Sequence, residues 1–564
     1  STNETNTWSI TNNFQIEYRC LTYFRVRGNL QYQMSKSEAE RFRSPNETFF
    51  AKTDADKKGT YTKNSSSNNS ITGRLNLTFG RSFGDHTVNG VAGMQFSDKN
   101  QESYGFGAQG YTTDQFSSPN FSSSYVTGKP SASDSKSRSV SYYFNANYAY
   151  NMRYLIDFNL TTNGASQFGI NDPFATTWAV GVGWNVHNEH FLADSKVINY
   201  LKLRYSLGNP GNQNYDAKLS SSIYMYNTAH SNPFGLAAWV ETWGNNNLKW
   251  QRTVTHNFGL DVQFFASRLN LNVDYQMRDT DPLLVRIDMP TSTGAATAPM
   301  NVGATDNRSI SVSMTYYLIK QREFNWYISG NLNHNTTKYK KIGNLLQEYN
   351  ERGQASASLL RYYDNASTTG VYAVRSAGID PATGNEIFIK KDGSYTYEWK
   401  QEDEVLIGDS NPKVQGSFQT SLVYKGFTFG ASFSYRVGGL TQLSTLFNKV
   451  ENISSSQLKY NQDKRALYDR WQKPGDIARF KRIDDTNSTK MSSRFIEKEN
   501  TFSCNSINIG YRTTNADWLK YIGASAINFT AYMNDIFRIS SIKEERGTSY
   551  PFERSVSFSI GLNF

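Results

Sequence analysis

The sequence closes on "RSVSFSIGLNF", residues 554–564. Taken in twos, Val556, Phe558, Ile560, Leu562 and Phe564 are apolar, while Ser555, Ser557, Ser559, Gly561 and Asn563 are small or polar. Period two marks a strand with one apolar face, because successive side chains point to opposite sides of the backbone. Chain ends are usually frayed and polar. A two-faced strand that runs to a final phenylalanine therefore needs an apolar surrounding on one side up to its last residue.

The pattern recurs upstream. In "VSYYFNANYAY" (140–150), Val140, Tyr142, Phe144, Ala146, Tyr148 and Tyr150 share one parity, with Ser141, Asn145 and Asn147 between them. In "RLNLNVDYQM" (268–277), Leu269, Leu271, Val273, Tyr275 and Met277 alternate with Asn270, Asn272, Asp274 and Gln276. In "KVQGSFQTSLVY" (413–424), Phe418, Leu422 and Tyr424 oppose Gln415, Ser417, Gln419 and Ser421. About seventeen such strands are predicted: 7–19, 22–34, 70–82, 86–98, 139–149, 152–162, 175–188, 200–208, 250–265, 268–278, 304–318, 323–335, 411–424, 427–436, 499–512, 522–535 and 554–564.

The connections are sorted by length. "YNMR", "FFASR", "LIKQRE" and "YKGF" are short, whereas 99–138, 209–249, 336–410 and 437–498 are long and rich in Asn, Ser, Gly, Tyr and charge. Short turns at one rim and long loops at the other predict an antiparallel transmembrane β-barrel, with long extracellular loops and short periplasmic turns. Aromatics gather beside the short turns (Tyr148, Tyr150, Tyr154, Phe264, Phe265, Tyr424 and Phe427), where a girdle meets the membrane surface. The last strand then faces lipid and has to be paired along its edge, since unpaired amides in lipid are costly.

Composition agrees. Apolar residues are 38% and aromatics 14% of 564 residues, and no run approaches the ~18 apolar residues of a membrane helix. The net charge of +10 is scattered rather than gathered in a patch, which argues against nucleic acid. Two distant cysteines, Cys20 and Cys504, make no disulfide framework and either pair or stay free. The chain begins "STNETNTWSI" without a signal peptide, so it is expected to be processed or part of something longer. An odd number of antiparallel strands cannot close by antiparallel pairing, so an incomplete barrel lacking its amino-terminal strands is expected.

Chemistry-bearing motifs are sparse. "HNEH" (187–190) spaces its histidines by three, which on a strand puts them on opposite faces, so a turn is favoured over a metal site. "GIDPATGNE" (378–386) holds Asp380, Thr383, Asn385 and Glu386 but lacks the EF-hand spacing, so a polar turn is favoured over calcium. No nucleophile elbow, P-loop or zinc pattern appears, so no metal, cofactor or catalytic residue is expected. Ligand contact is expected from the long loops. In 209–249 the candidates are Tyr215, Tyr224, Tyr226, Phe234, Trp239 and Trp243, aromatics that stack on sugar rings, bury peptide side chains, or pack loops together.

Several segments resemble SusC/RagA-type TonB-dependent outer-membrane transporters. "NNNLKWQ" (245–251) is similar to the family's N-x-x-L-K-W-E, and "MNVGATDN" (300–307) to its N-V-G-x-x-x-N run. "LKLRYSLGNPGNQ" (201–213), "AGIDPATGNEIF" (377–388), "IGDSNPKVQGSF" (407–418) and "RWQKPGD" (470–476) also match, in family order. "NGASQFG" (163–169) departs from the usual D-G-S-S-R-F-G, with Asn163 and Gln167 in place of Asp and Arg. The resemblance implies an outer-membrane, multi-pass barrel of roughly 22 strands around a plug. Residues 1–564 are then the carboxy-terminal part of that barrel, with the plug, the TonB box and the first strands on a missing segment or separate chain.

It also implies a SusD-type surface lipoprotein lid, TonB acting through the missing part, lipid and lipopolysaccharide around the wall, and pairing of two SusCD units. The implied function is active import of oligomeric nutrients, with glycan oligosaccharides as the first choice and oligopeptides as the alternative. A non-transport adhesin or structural barrel is the rival of another class. Phe558, Ile560, Leu562 and Phe564 resemble the carboxy-terminal signal read by outer-membrane assembly machinery.

Overall fold

The computed structural model describes residues 2–564 except 128, 167–170, 172, 212–221, 233–234, 290, 295–296, 345, 348, 352–357, 455–456, 486, 515–516, 544 and 546–552. Seventeen long strands dominate: β1 (Thr2–Cys20), β2 (Phe24–Arg43), β3 (Thr60–Phe83), β4 (His86–Gln109), β5 (Ser131–Tyr150), β6 (Tyr154–Ala165), β7 (Phe174–Asn185), β8 (Ile198–Asn209), β9 (Thr253–Phe264), β10 (Leu269–Thr280), β11 (Ala304–Lys320), β12 (Phe324–Lys340), β13 (Val414–Tyr424), β14 (Phe427–Gln442), β15 (Ile496–Thr514), β16 (Ala526–Ser540) and β17 (Val556–Asn563). Each coincides with a strand expected from the alternation.

The chain divides into two compact units, one of residues 1–182, 208–253 and 284–301, the other of the remainder. In the first, β1 to β6 pair antiparallel in chain order. In the second, β8 to β17 do the same.

Within each unit, tight turns join consecutive strands at one end. Lys425 and Gly426 both adopt positive φ between β13 and β14, as a two-residue turn of primed type requires. The β7–β8 and β15–β16 connections on this side are longer and carry 3-10 turns, Val186–Asn188 and Asp517–Ile522. The expected aromatics line this end. Tyr150 pairs with Tyr154, Phe264 lies 6.0 Å from Phe265, and Phe427 lies 4.4 Å from Tyr511.

Two features depart from strict alternation. β2, β3 and β4 run well past their apolar stretches, to Arg43, from Thr60, and to Gln109. Residues such as "KNSSSNNS" (63–70) alternate in nothing, yet they stay in register, with Glu40 opposite Lys63 at 2.6 Å. Both faces of these extensions meet water, so pairing persists where the alternation signal vanishes. In β15, Phe433 faces Cys504 while Ser432 faces Ser506, leaving Asn505 as a bulge. The apolar parity therefore switches from Phe502 to Ile507, Ile509 and Tyr511. On the loop side of the switch, rings of Phe418, Phe433, Phe502 and Phe537 follow one another across β13 to β16, each 4.8–6.0 Å from the next.

The largest buried apolar cluster lies in the long loops. Leu446, Phe447, Val450, Ala466, Phe480, Met491 and Phe495 form one cluster between β14 and β15. Val371, Ala373 and Ile496 form a second. Residues 370–409 supply a small antiparallel sheet to this loop cap. In the first unit, Phe42, Tyr61 and Ala108, at the loop-side ends of β2, β3 and β4, close a smaller cluster with Tyr111. Burial pushes the Tyr111 phenol up to about 12.

Candidate functional site

Opposite the apolar parity, several strands carry hydrogen-bonding side chains held in pairs. On β8 to β10, Arg204 donates to both oxygens of Asp261 at 2.7 and 2.8 Å and to Asp274 at 3.1 Å. Asn272 donates to Asp261 at 2.7 Å. Gly259 leaves the room: a Cβ there would stand 2.6 Å from the Arg204 guanidinium carbon. Asn272 and Asp274, two of the polar positions that alternate along β10, are thus part of one network. In the first unit, Glu17 accepts from Arg27 at 2.6 Å and Arg19 at 3.0 Å, Asn29 donates to Gln15, and Arg74 donates to Gln95. Asn163, standing where the resembling family has Asp, is buried and accepts from Ser141 Oγ at 2.6 Å. The result is a face of fixed donors and acceptors that can hold water, a polar solute or another polypeptide.

The six aromatic candidates of 209–249 separate. Ile223–Asn232 pairs with Gly235–Thr242 as a hairpin in which Tyr224 faces Val240, Met225 faces Trp239 and Tyr226 faces Ala238. Tyr224 is exposed. Trp243 is half-buried, and its indole N–H donates to the Thr293 carbonyl at 3.0 Å, tying two loops together. Tyr215 and Phe234 lie outside the described residues, as do the side chains of Tyr226 and Trp239.

The loop cap explains two of the matched motifs. Asp380 receives the Ala382 N–H at 3.0 Å, Thr383 Oγ1 at 2.7 Å and Tyr397 Oη at 2.7 Å, which hold its carboxyl below the usual range. It closes a turn. Gly384, at φ +72, lies against Trp471: a Cβ there would stand 2.5 Å from the indole ring. Trp471 Nε1 and Gly475 N both donate to the Pro381 carbonyl, at 2.9 and 2.8 Å. "DPATG" and "WQKPG" therefore dock on each other. Nearby, Arg494 bridges Glu386 at 2.8 Å and Glu451 at 2.6 Å, all three nearly buried. Burial works against the Arg494 charge, but the two carboxylates outweigh it and raise its pKa. Arg470, lowered by burial, donates to the carbonyls of Ala466, Lys481, Val450 and Glu451.

In the "HNEH" turn, His187 bonds the Leu201 carbonyl through Nδ1 and lies 4.4 Å from the Tyr200 ring, while His190 is exposed. Among the described residues no group of three metal-ligating side chains converges. Cys20 and Cys504 are both free. On β17, Phe558, Ile560 and Leu562 are exposed, as is Phe564 just beyond it, and among the described residues β17 pairs with one neighbour, β16.

Sequence comparison decides the family. A family profile described as "TonB dependent receptor-like, beta-barrel" matches residues 1–453. The chain belongs to this family. TonB-dependent receptor P3 of Formosa agariphila is 29% identical over 64% of this chain and 38% of its own length. TonB-dependent receptor SusC of Bacteroides thetaiotaomicron is 27% identical over 75% of this chain and 43% of its own. TonB-dependent receptor P26 of Formosa agariphila is 23% identical over 91% and 53%. The chain spans about half the length of the curated relatives it matches. A solved structure of the RagAB peptide transporter shares the fold, with a TM-score of 0.82 and 18% identity over 96% of this chain and 59% of the other.

The strands are thus those of a SusC/RagA-type outer-membrane β-barrel, and their apolar parity is the lipid-facing one. No helix among the described residues is long and apolar enough to cross a membrane. What the sequence did not disclose is the pairing of the loop motifs, the Arg494 bridge and the Arg204 network. The one available signal was Gly259, a lone glycine between polar positions of β9.

Proposed function

We propose that this chain is the carboxy-terminal barrel portion of a TonB-dependent importer of oligomeric nutrients, with neutral or acidic glycan fragments as the first substrate class and oligopeptides as the second. The observation that carries the reading is the two-faced strand set of this family. A lipid-facing apolar parity encloses a parity of fixed donors and acceptors such as Arg204, Asp261 and Asp274, which suits passage of hydrogen-bonding solutes. The peptide alternative draws support from the likeness to RagAB, itself a peptide transporter.

The plug, the TonB box and the remaining strands belong, in this reading, to a part of the protein outside residues 1–564. The greater length of the relatives supports this, as does the odd strand number, which cannot close by antiparallel pairing. A SusD-type lipoprotein lid is the expected partner over the long loops. Fluorescent oligosaccharides and oligopeptides supplied to cells with and without the gene test it. Loss of uptake of one class on deletion, with a surface lipoprotein co-purifying, is the expected result. Unchanged uptake of both classes overturns it.

A further inference from the structure

In the first unit, register places one continuous apolar parity across β2 to β6. Leu77 lies between Val26 and Ala92, Val88 faces Tyr148, and Tyr148 faces Ile156. In the turn-side stretches 24–34, 71–83, 86–96, 140–150 and 154–160 this parity carries a single Lys, Arg, Asp or Glu, namely Arg81. It interrupts the row Leu75, Leu77, Phe79, Phe83. A charge on the lipid face is costly at the bilayer centre and tolerated near the interfaces. Arg81 meets that condition, because β3 ends two residues later, at Phe83, in the Gly84–Asp85 turn.

What surrounds Arg81 is aromatic rather than acidic. Its guanidinium carbon lies 4.9 Å from the centroid of the Tyr23 ring. Tyr23 lies 5.9 Å from Phe24 and 6.2 Å from Phe79, and those two rings are 5.0 Å apart. Farther along the rim Phe83 stacks on His86 at 5.7 Å, and His86 Nδ1 meets Tyr148 Oη at 2.8 Å. Arg81 is exposed, and among the described residues no carboxylate or other acceptor takes its N–H groups. The nearest acid in sequence, Asp85 of the turn, is also exposed and forms no ion pair with it. Stacking on a ring occupies the face of a guanidinium and leaves its N–H edge free.

A cation that only needed water would extend past the rim, as long basic side chains do at membrane interfaces. Here the ring of Tyr23 holds it against the barrel wall. The anion that every phospholipid brings to this depth is its phosphodiester, and the guanidinium fork matches two phosphate oxygens at once. From Arg81 toward the bilayer centre the same row continues as Phe79 and Leu77, a surface for a hydrocarbon chain. We propose that Arg81 is the phosphate contact of a fixed site for one glycerophospholipid of the periplasmic leaflet, with an acyl chain along Phe79 and Leu77 and Tyr23 seating the guanidinium. The site stands on the lipid-facing parity alone and is independent of what the barrel imports.

The test is native mass spectrometry of the detergent-purified full complex, after delipidation and titration with dioleoyl phosphatidylethanolamine, dioleoyl phosphatidylglycerol, dioleoylglycerol or lipid A. Wild type is compared with Arg81→Gln, with heat-modifiable migration as the check on folding. If that variant fails to migrate as a folded barrel, Tyr23→Leu, which removes the ring under the guanidinium, replaces it. The variant is expected to hold one phospholipid fewer per chain than wild type, for both phospholipids, with dioleoylglycerol and lipid A retention unchanged. Equal phospholipid counts in wild type and variant overturn the site. So does an equal loss of dioleoylglycerol, which needs no phosphate, or a loss confined to lipid A, which belongs to the other leaflet. Loss of phosphatidylglycerol with phosphatidylethanolamine retained is an effect of net charge and also overturns it.

Discussion

Phe564, one residue past the end of β17, is 83% exposed, and Phe480 in the 443–495 loop is 1% exposed. Both belong to the same unit. The loop residue follows the ordinary rule that water drives apolar groups inward. The strand residue follows the membrane version, in which lipid takes the place of the core. Charges are sorted likewise. Arg494, Glu386 and Glu451 are closed off from solvent in the cap, whereas Arg204, Asp261 and Asp274 line the polar strand face and stay part-exposed. The cap therefore behaves as a small water-soluble domain mounted on strands that are not.

That contrast predicts where substitutions are felt. Arg494→Met strands two buried carboxylates and is expected to cost the cap about 3–5 kcal/mol. Limited proteolysis should cut within 443–495, while the barrel's heat-resistant migration is unchanged. A barrel that unfolds along with the cap would erase the distinction. Ile560→Arg on the lipid parity is expected to cost about 2–4 kcal/mol, and Ser559→Arg on the other face clearly less. Urea unfolding in lipid vesicles reads the pair, and equal costs would contradict the two-faced reading.

Smaller effects probe the joints. Gly384→Ala puts a Cβ into the Trp471 ring at positive φ and is expected to cost about 1–3 kcal/mol, visible as faster hydrogen exchange in residues 380–384 and 471–475. Lys63→Gln in the β2–β3 extension removes a cross-strand pair with Glu40. As a surface pair it should be worth only about 0.2–1 kcal/mol, with its effect fading in high salt.

The strands were legible because lipid imposes a periodicity on the sequence. All seventeen appear at the expected places, and the misses have physical causes. β2 to β4 overrun their apolar stretches because nothing in water enforces alternation, and β15 changes parity at the Asn505 bulge. The cap was illegible for the opposite reason. Its cores join residues such as Phe447, Phe480 and Phe495 without any period. Its two motifs meet across 90 residues of chain, through Trp471 and Pro381.

The account stands on the claim that alternate strand residues face lipid. In a background with Cys20→Ser and Cys504→Ala, single cysteines placed at 269 through 277 of β10 and labelled with a bilayer-sensitive fluorophore can be scored for quenching by brominated lipids. The account predicts strong quenching at 269, 271, 273, 275 and 277 and weak quenching at 270, 272, 274 and 276. Uniform quenching, or none above that in detergent-free buffer, would contradict it.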